Sequence, residues 1–382
     1  MSGTPSPPFS RVPTQQLIAG MLKDRDGVSD LIFSPGRAPQ IEVKGELIEL
    51  RFQGLERLST QQTQEISEDL IGANAVAADQ LRQQGSTDLS YSLTGVARFR
   101  VNIFRQRSTY AVVMRVIPTR IPTFAELSLP EHLANIVPMR NGLVLVTGPT
   151  GSGKSSTLAA IIDRMNEERA IHIITIEDPV EFMHAHKKAT IHQRELHSDT
   201  PTFSAALRAA LRQAPKVILV GEMRDRETIE VAMTAAETGH LVFSTLHTID
   251  ASKTVERIIG TFPAADQQII RTRLAGAFRY FIAQRLIPQT SGGRIAVLEI
   301  LKATMRTREY IEQGEKEGRS LLDAINDGGL DGMQSFDGEI ERLVRDGVLS
   351  MATGMLYATN AGNLGIRLAD YNEDSIKSQM TL

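Results

Sequence analysis

Residues 143–157 read LVLVTGPTGSGKSST, and no other stretch constrains the fold so strongly. An apolar run, Leu143 to Val146, ends in Thr147. Gly148-Pro149-Thr150-Gly151-Ser152-Gly153-Lys154-Ser155 then matches the phosphate-binding loop G-x-x-x-x-G-K-[ST]. Glycines let consecutive amide N–H groups turn inward around a phosphate. Lys154 adds a point charge with the reach for β- and γ-phosphates, and the Ser155 hydroxyl is a Mg²⁺ ligand. A helix starting here aims its positive dipole end at the anion. Leu158, Ile161, Ile162 and Met165 follow at helical spacing, so the context is strand, loop, helix. The expected ligands are ATP and Mg²⁺, held by Gly148 to Ser156.

Composition bounds the rest. The chain has 382 residues, 41% hydrophobic and 23% charged, enough for two packed domains. Its 42 basic and 45 acidic residues leave a net charge of −3, with no long basic run to serve as a nucleic-acid footprint. Cysteine is absent, which rules out disulfides and thiolate zinc sites. No apolar run approaches the roughly 18–20 residues that span a bilayer. The start, MSGTPSPPFSRVP, lacks the pattern of a signal peptide and reads as a disordered tail over 1–13. A cytoplasmic protein, at most peripheral to a membrane, is expected.

Residues 14–117 read as one α/β domain. Leu17, Met21 and Leu22 suggest a first helix, and strands are expected at 30–33, 41–43, 47–50, 88–93, 98–104 and 111–117. A helix is expected over 60–70, with Thr60 as its N-cap. Pro118, Pro122, Pro130 and Pro138 mark 118–140 as a linker. From Gly142 strands and helices alternate, the pattern of a parallel sheet covered by helices. Strands at 143–147, 171–176, 217–220, 241–245 and 295–300 and helices at 203–213 and 228–238 define a core over 141–302. A helical, polar region follows over 303–382.

Ligands of open parallel sheets bind beyond the carboxyl ends of the strands. Those ends lead into the phosphate loop, into Glu177-Asp178-Pro-Val-Glu181, into Gly221-Glu222 and into Leu246-His247. Hydrolysis of a phosphoanhydride needs an in-line water and a group to orient or deprotonate it. Glu222 is the expected carboxylate; the competing reading is a helix cap or a partner of Arg224. Glu177, Asp178 and Glu181 are placed for Mg²⁺ through water or for the attacking water, one of them serving structure only. His247 reads equally as a γ-phosphate sensor or a structural histidine. Arginines 98, 100, 105, 107 and 115 read mostly as the solvated face of a half-buried sheet, with one or two as candidate arginine fingers.

These segments resemble the type II/IV secretion ATPase superfamily, and within it the PilT/PilU-like twitching-motility ATPases of type IV pilus retraction. GPTGSGKSSTLAA (148–160), ITIEDPVEF (174–182), VILVGEMRDRETIEVAMTAAETGHLVFSTLHT (217–248) and RFRVNIF (98–104) carry the resemblance. It implies a RecA-like P-loop ATPase domain preceded by a smaller PAS-like α/β domain, in a homohexamer with ATP between subunits. It also implies an inner-membrane pilus platform protein and a paralogous pilus ATPase as partners, and work at the cytoplasmic face of the inner membrane. By position, Glu222 is the Walker B glutamate, Glu177, Asp178 and Glu181 the acidic box, His247 part of the His box, and Arg100 and Arg115 the arginines brought to ATP. Two stretches depart from the family. Arg-Gln-Ala-Pro-Lys (212–216) replaces acidic residues before Walker B, and MRTREYIEQGEKEG (305–318) stands where retraction motors carry AIRNLIRE. The alternatives are a PilU-like accessory or weakly hydrolysing subunit, and a DNA motor disfavoured by the charge balance.

Overall fold

Period-two burial organises the first of the two units into which the chain divides. A computed structural model describes residues 13–118 and 120–371, so residues 1–12 of the expected tail lie outside the described residues. One unit runs up to Arg120 and takes in Glu181–Met183; the other is Ile121–Val180 with His184 onward. The first holds α1 (Thr14–Leu22), β1 (Val28–Phe33), β2 (Gln40–Val43), β3 (Glu46–Glu49), α2 (Thr60–Ile71), α3 (Ala75–Gln84), β4 (Ser86–Leu93), β5 (Ala97–Gln106) and β6 (Thr109–Ile117). Its six strands pair in the order β3-β2-β1-β6-β5-β4. Phe99, Val101 and Ile103 alternate inward along β5 and pack with Leu17, Ile18 and Met21 of α1 and Ile66 and Leu70 of α2. The α2 N-cap is Ser59, not Thr60: its hydroxyl accepts from the Gln62 amide while the Gln62 side chain returns to the Ser59 amide.

The second unit is built on a seven-stranded sheet in the order β13-β12-β7-β11-β10-β8-β9. Its strands are β7 (Gly142–Thr147), β8 (His172–Glu177), β9 (Thr190–Glu195), β10 (Val217–Val220), β11 (Leu241–Leu246), β12 (Phe278–Pro288) and β13 (Arg294–Lys302). All pairings are parallel except β12 with β13. Every residue of β7, β10 and β11 is buried, as expected of strands covered on both faces. Leu143 and Leu145 face a cluster with α5 (Phe203–Ala210), α6 (Arg226–Glu237), α7 (Ala251–Gly260) and α8 (Gln267–Ala277). Val144 and Val146 face the opposite layer, built on α4 (Lys154–Glu168).

That second layer corrects the expected linker. Phe124, Leu129, Leu133, Ile136 and Val137 are buried against α4 and the sheet, so residues from Ile121 belong to the second unit and contribute to its core. The prolines of 118–140 leave one short 3-10 helix, Glu131–Ile136, as the regular element of the segment. Neither β9, β12 nor α3 figured among the expected elements. β12, FRYFIAQRLIP, mixes charge into an apolar run that carries no clean period. The helix expected over 203–213 stops at Ala210, capped at its start by Thr202. Beyond β13, α9 (Met305–Gln313), α10 (Leu321–Asp327), α11 (Phe336–Arg345), α12 (Met351–Tyr357) and α13 (Ala361–Arg367) complete the described chain. No helix among the described residues is long and apolar enough to cross a membrane.

Candidate active site

The loop between β7 and α4 has the backbone its glycines require. Gly148, Gly151 and Gly153 have φ of 142°, 78° and 88°. A Cβ on Gly148 would run into the Gln284 carbonyl oxygen, and one on Gly153 would lie 2.8 Å from the Gln284 amide nitrogen. The first and last glycines of the motif are thus fixed by the approach of β12 as well as by φ. The Gly148 amide donates to the Leu246 carbonyl at 3.2 Å, tying the loop to the end of β11.

Three features fit the loop to a phosphate. Lys154, 8% exposed, turns its ammonium onto the Gly148 and Pro149 carbonyls at 2.8 and 3.0 Å, so the cation is held over the loop. Ser152 Oγ is buried without a hydrogen-bond partner. Ser155 and Ser156 stand in the first turn of α4, where amides lack intrahelical acceptors. Among the described residues no group of three or more acidic or histidine side chains is set to hold a metal ion. Mg²⁺ at a nucleotide is held by one or two protein ligands, phosphates and waters, so a cage of side chains is not required.

The next strand ends gather the acidic groups. Glu222 follows β10 at the edge where β7 delivers the loop. Gly221 lets that turn pass close to β8: a Cβ there would meet the Glu177 Cα and the Ile176 carbonyl at 3.3 Å. Thr245 Oγ1 donates to the Gly221 carbonyl at 2.6 Å, so the end of β11 braces both Glu222 and the phosphate loop. The Glu222 carboxylate, 15% exposed, takes the Arg224 guanidinium at 2.6 Å and His247 Nε2 at 3.4 Å. Burial pushes its pKa up, but the Arg224 hydrogen bond and charge, with His247, outweigh this and hold it below the ordinary carboxylate range. The structure therefore contains the Arg224 pairing weighed against a catalytic role, and adds His247 to it.

In the acidic box Glu177 is half-buried and accepts from Thr175 Oγ1 at 2.6 Å. Asp178 is exposed and its charge reaches Arg224. Glu181 is exposed. The turn is fixed by Glu195 of β9, 4% exposed, which accepts from the Val180 amide at 3.0 Å. Arg100 and Arg115 are brought to each other in the first unit, opposite on β5 and β6. Arg115 pairs with Asp30 at 3.0 Å, and that carboxylate is 8% exposed. Sequence reasoning missed Gln284, Thr245 and Glu195. Only Gln284 left a trace, as an amide inside the apolar run IAQRLI.

Comparison with known proteins bears on most of the chain. The family described as "Type II/IV secretion system protein" matches residues 41–293. The type IV pilus retractation ATPase PilT of Pseudomonas aeruginosa is 44% identical over 326 residues, 85% of this chain and 93% of PilT. The type IV pilus ATPase PilU of the same organism is 37% identical over 345 residues, 90% of this chain and 88% of PilU. Among solved structures, the pilus retraction motor PilT with bound ADP aligns with a TM-score of 0.81 at 38% identity, covering 91% of this chain and 98% of that one.

Proposed function

We propose, from the premise that this chain belongs to the type II/IV secretion system protein family and is a PilT-like ATPase, that it couples Mg²⁺-dependent ATP hydrolysis to type IV pilus retraction. The observation that carries this is the convergence at one sheet edge of the phosphate loop, the acidic turn after β8, Glu222 and His247. In this reading the loop amides from Gly148 to Ser156 and Lys154 hold the phosphates, and Ser155 is the protein ligand of Mg²⁺. Bound Mg²⁺ supplies positive charge against the phosphate oxygens. Glu222 orients a water in line with the γ-phosphorus and takes its proton. The water oxygen bonds to phosphorus as the bond to the β–γ bridging oxygen breaks, leaving ADP and phosphate. A carboxylate offers about four lone-pair sites, so Oε1 can accept from water while Oε2 keeps Arg224. Of Glu177, Asp178 and Glu181, two would help place Mg²⁺ through water or orient the attacking water while one serves structure only, and His247 reads the γ-phosphate through its bond to Glu222. Arg100 and Arg115 bring charge from the first unit.

The working form in this proposal is a homohexamer at the cytoplasmic face of the inner membrane, acting on a pilus platform protein. Relatedness to both PilT and PilU, with the departure at 305–318, supports a second reading as an accessory subunit in a mixed assembly. Turnover by the purified protein alone separates the two. We expect Mg²⁺-dependent hydrolysis that Lys154→Ala abolishes, because the phosphates lose their main side-chain donor. A Lys154→Ala protein with wild-type turnover refutes the site. A deletion strain that keeps normal pilus retraction refutes the pathway while leaving the ATPase intact.

A further inference from the structure

We propose that Gln284 is a positioning residue for the phosphate loop, clamping it to α4 in the geometry that binds nucleotide. Gln284 lies on β12, 127 residues from Thr157 in sequence, and is 3% exposed. Both ends of its amide are used. Nε2 donates to the Ser152 carbonyl in the middle of the loop at 2.7 Å, and Oε1 accepts from Thr157 Oγ1 in the first turns of α4 at 2.7 Å. The same residue's backbone and side chain fill the space that Cβ atoms on Gly148 and Gly153 would need. One residue thus borders the motif at Gly148 through its backbone and at Ser152 and Gly153 through its side chain.

The physical need is specific. A loop of glycines has many conformations, and its amides bind an anion only when several converge together. Fixing the Ser152 carbonyl outward, onto Gln284, turns the peptide so that its partner amide is free to face inward. Fixing Thr157 sets α4 against the same strand, so the helix terminus and the loop amides share one focus. Removing Gln284 would strip the buried Thr157 hydroxyl of its acceptor, and removing Thr157 would leave the buried Gln284 Oε1 without its donor. The Lys154 ammonium adds a second tie, to the Gly148 and Pro149 carbonyls at the start of the loop. With both ends of its amide engaged by Ser152 and Thr157, Gln284 acts on the nucleotide through the loop.

This inference rests on the loop being the nucleotide site, and the test keeps the two apart. ADP and ATP binding is measured by calorimetry on the full chain for wild type, Lys154→Ala, Gln284→Leu, Gln284→Glu, Thr157→Val and the Thr157→Val/Gln284→Leu double variant. Each is also scored for its thermal midpoint with and without ADP. Gln284→Leu and Thr157→Val are each expected to weaken nucleotide binding about tenfold or more, with KM rising more than kcat falls. Gln284→Glu keeps the acceptor for Thr157 but sets a carboxylate oxygen against the Ser152 carbonyl, so it should bind worst. The double variant should be little worse than either single one, because both remove one clamp. Thr157→Ser, measured alongside them, keeps the hydroxyl and should bind nucleotide as wild type does. If Gln284→Leu does not fold, Thr157→Val and Thr157→Ser decide the matter. Variants with a lower midpoint but wild-type ADP affinity overturn the proposal and leave Gln284 a core residue. Absence of ADP binding by wild type overturns the nucleotide site itself.

Discussion

Glu222 carries two neighbours whose effects oppose its burial, and this sets its behaviour with pH. Held below the ordinary carboxylate range, it is ionised through neutral pH and available as a base. Glu222→Gln should keep ATP affinity and slow hydrolysis at least about 100-fold, the lower end for losing a general base. Equal losses in binding and turnover would make Glu222 structural. Removing Arg224 takes away the main force lowering the pKa, so in Arg224→Ala the acid limb of the rate profile should move to higher pH. Glu299 shows the opposite balance. Burial lifts its carboxyl to about 7, with Asp250 and Asp337 reinforcing and the Ala251 amide and Arg285 opposing. Its folded pKa exceeds the unfolded value, so the folded state binds the proton more tightly. The stabilisation is complete below about pH 4.5 and is lost as pH rises through about 7. Glu299→Gln, which mimics the neutral acid and can still accept from Ala251, should remove that pH dependence. The two proteins' unfolding free energies should diverge by on the order of 3 kcal/mol at most between about pH 5 and 8. Parallel curves would show that the carboxyl titrates normally.

At the scale of elements, β12 has two tasks on adjacent residues. Gln284 holds the phosphate loop, while Arg285 holds the C-terminal helices, donating to the Tyr357 carbonyl at 2.7 Å and Thr359 Oγ1 at 3.2 Å. Its guanidinium also sits 3.8 Å from the ring centre of Phe336, which is 1% exposed at the start of α11. Ile340, Leu343, Val344, Leu364 and Leu368 form one cluster with Phe336 against Ala283, Ile287 and Val297. Phe336→Ala should cost about 3–5 kcal/mol, the range for emptying a buried aromatic site. The loss should be local. Amide exchange should quicken across 336–368, while β7 and β11 keep their protection. Uniform quickening across the second unit would show that these helices are one cooperative unit with the sheet.

For the whole molecule, the boundary that matters lies near residue 121 and not at the phosphate-loop strand. A fragment starting at Gly142 lacks Phe124, Leu129, Leu133, Ile136 and Val137, all buried in the layer over α4. It should unfold more readily than one starting at Ile121, and only the longer fragment should bind nucleotide well. If Arg100 serves the ATP, the Ile121 fragment should bind yet hydrolyse slowly, and Arg100→Ala in the full chain should do the same with its thermal midpoint intact. Full turnover by the fragment as a monomer would rule out a role for the first unit. Arg115 is a poorer probe, since removing it strips buried Asp30 of its ion pair and mixes a stability loss into the activity. Sequence by itself determined what depends on local order: the G-x-x-x-x-G-K-S loop, the short apolar runs of β7, β10 and β11, and the acidic groups at strand ends. Each is set by φ, by period or by spacing along a few residues. Only the tertiary structure decided that the proline-marked segment is core and that β12 lies beside β7. It alone joined Gln284 to Ser152 and Thr157, Thr245 to Gly221 and Glu195 to Val180. Those are hydrogen bonds between residues far apart in the chain, and local sequence spacing does not identify such partners.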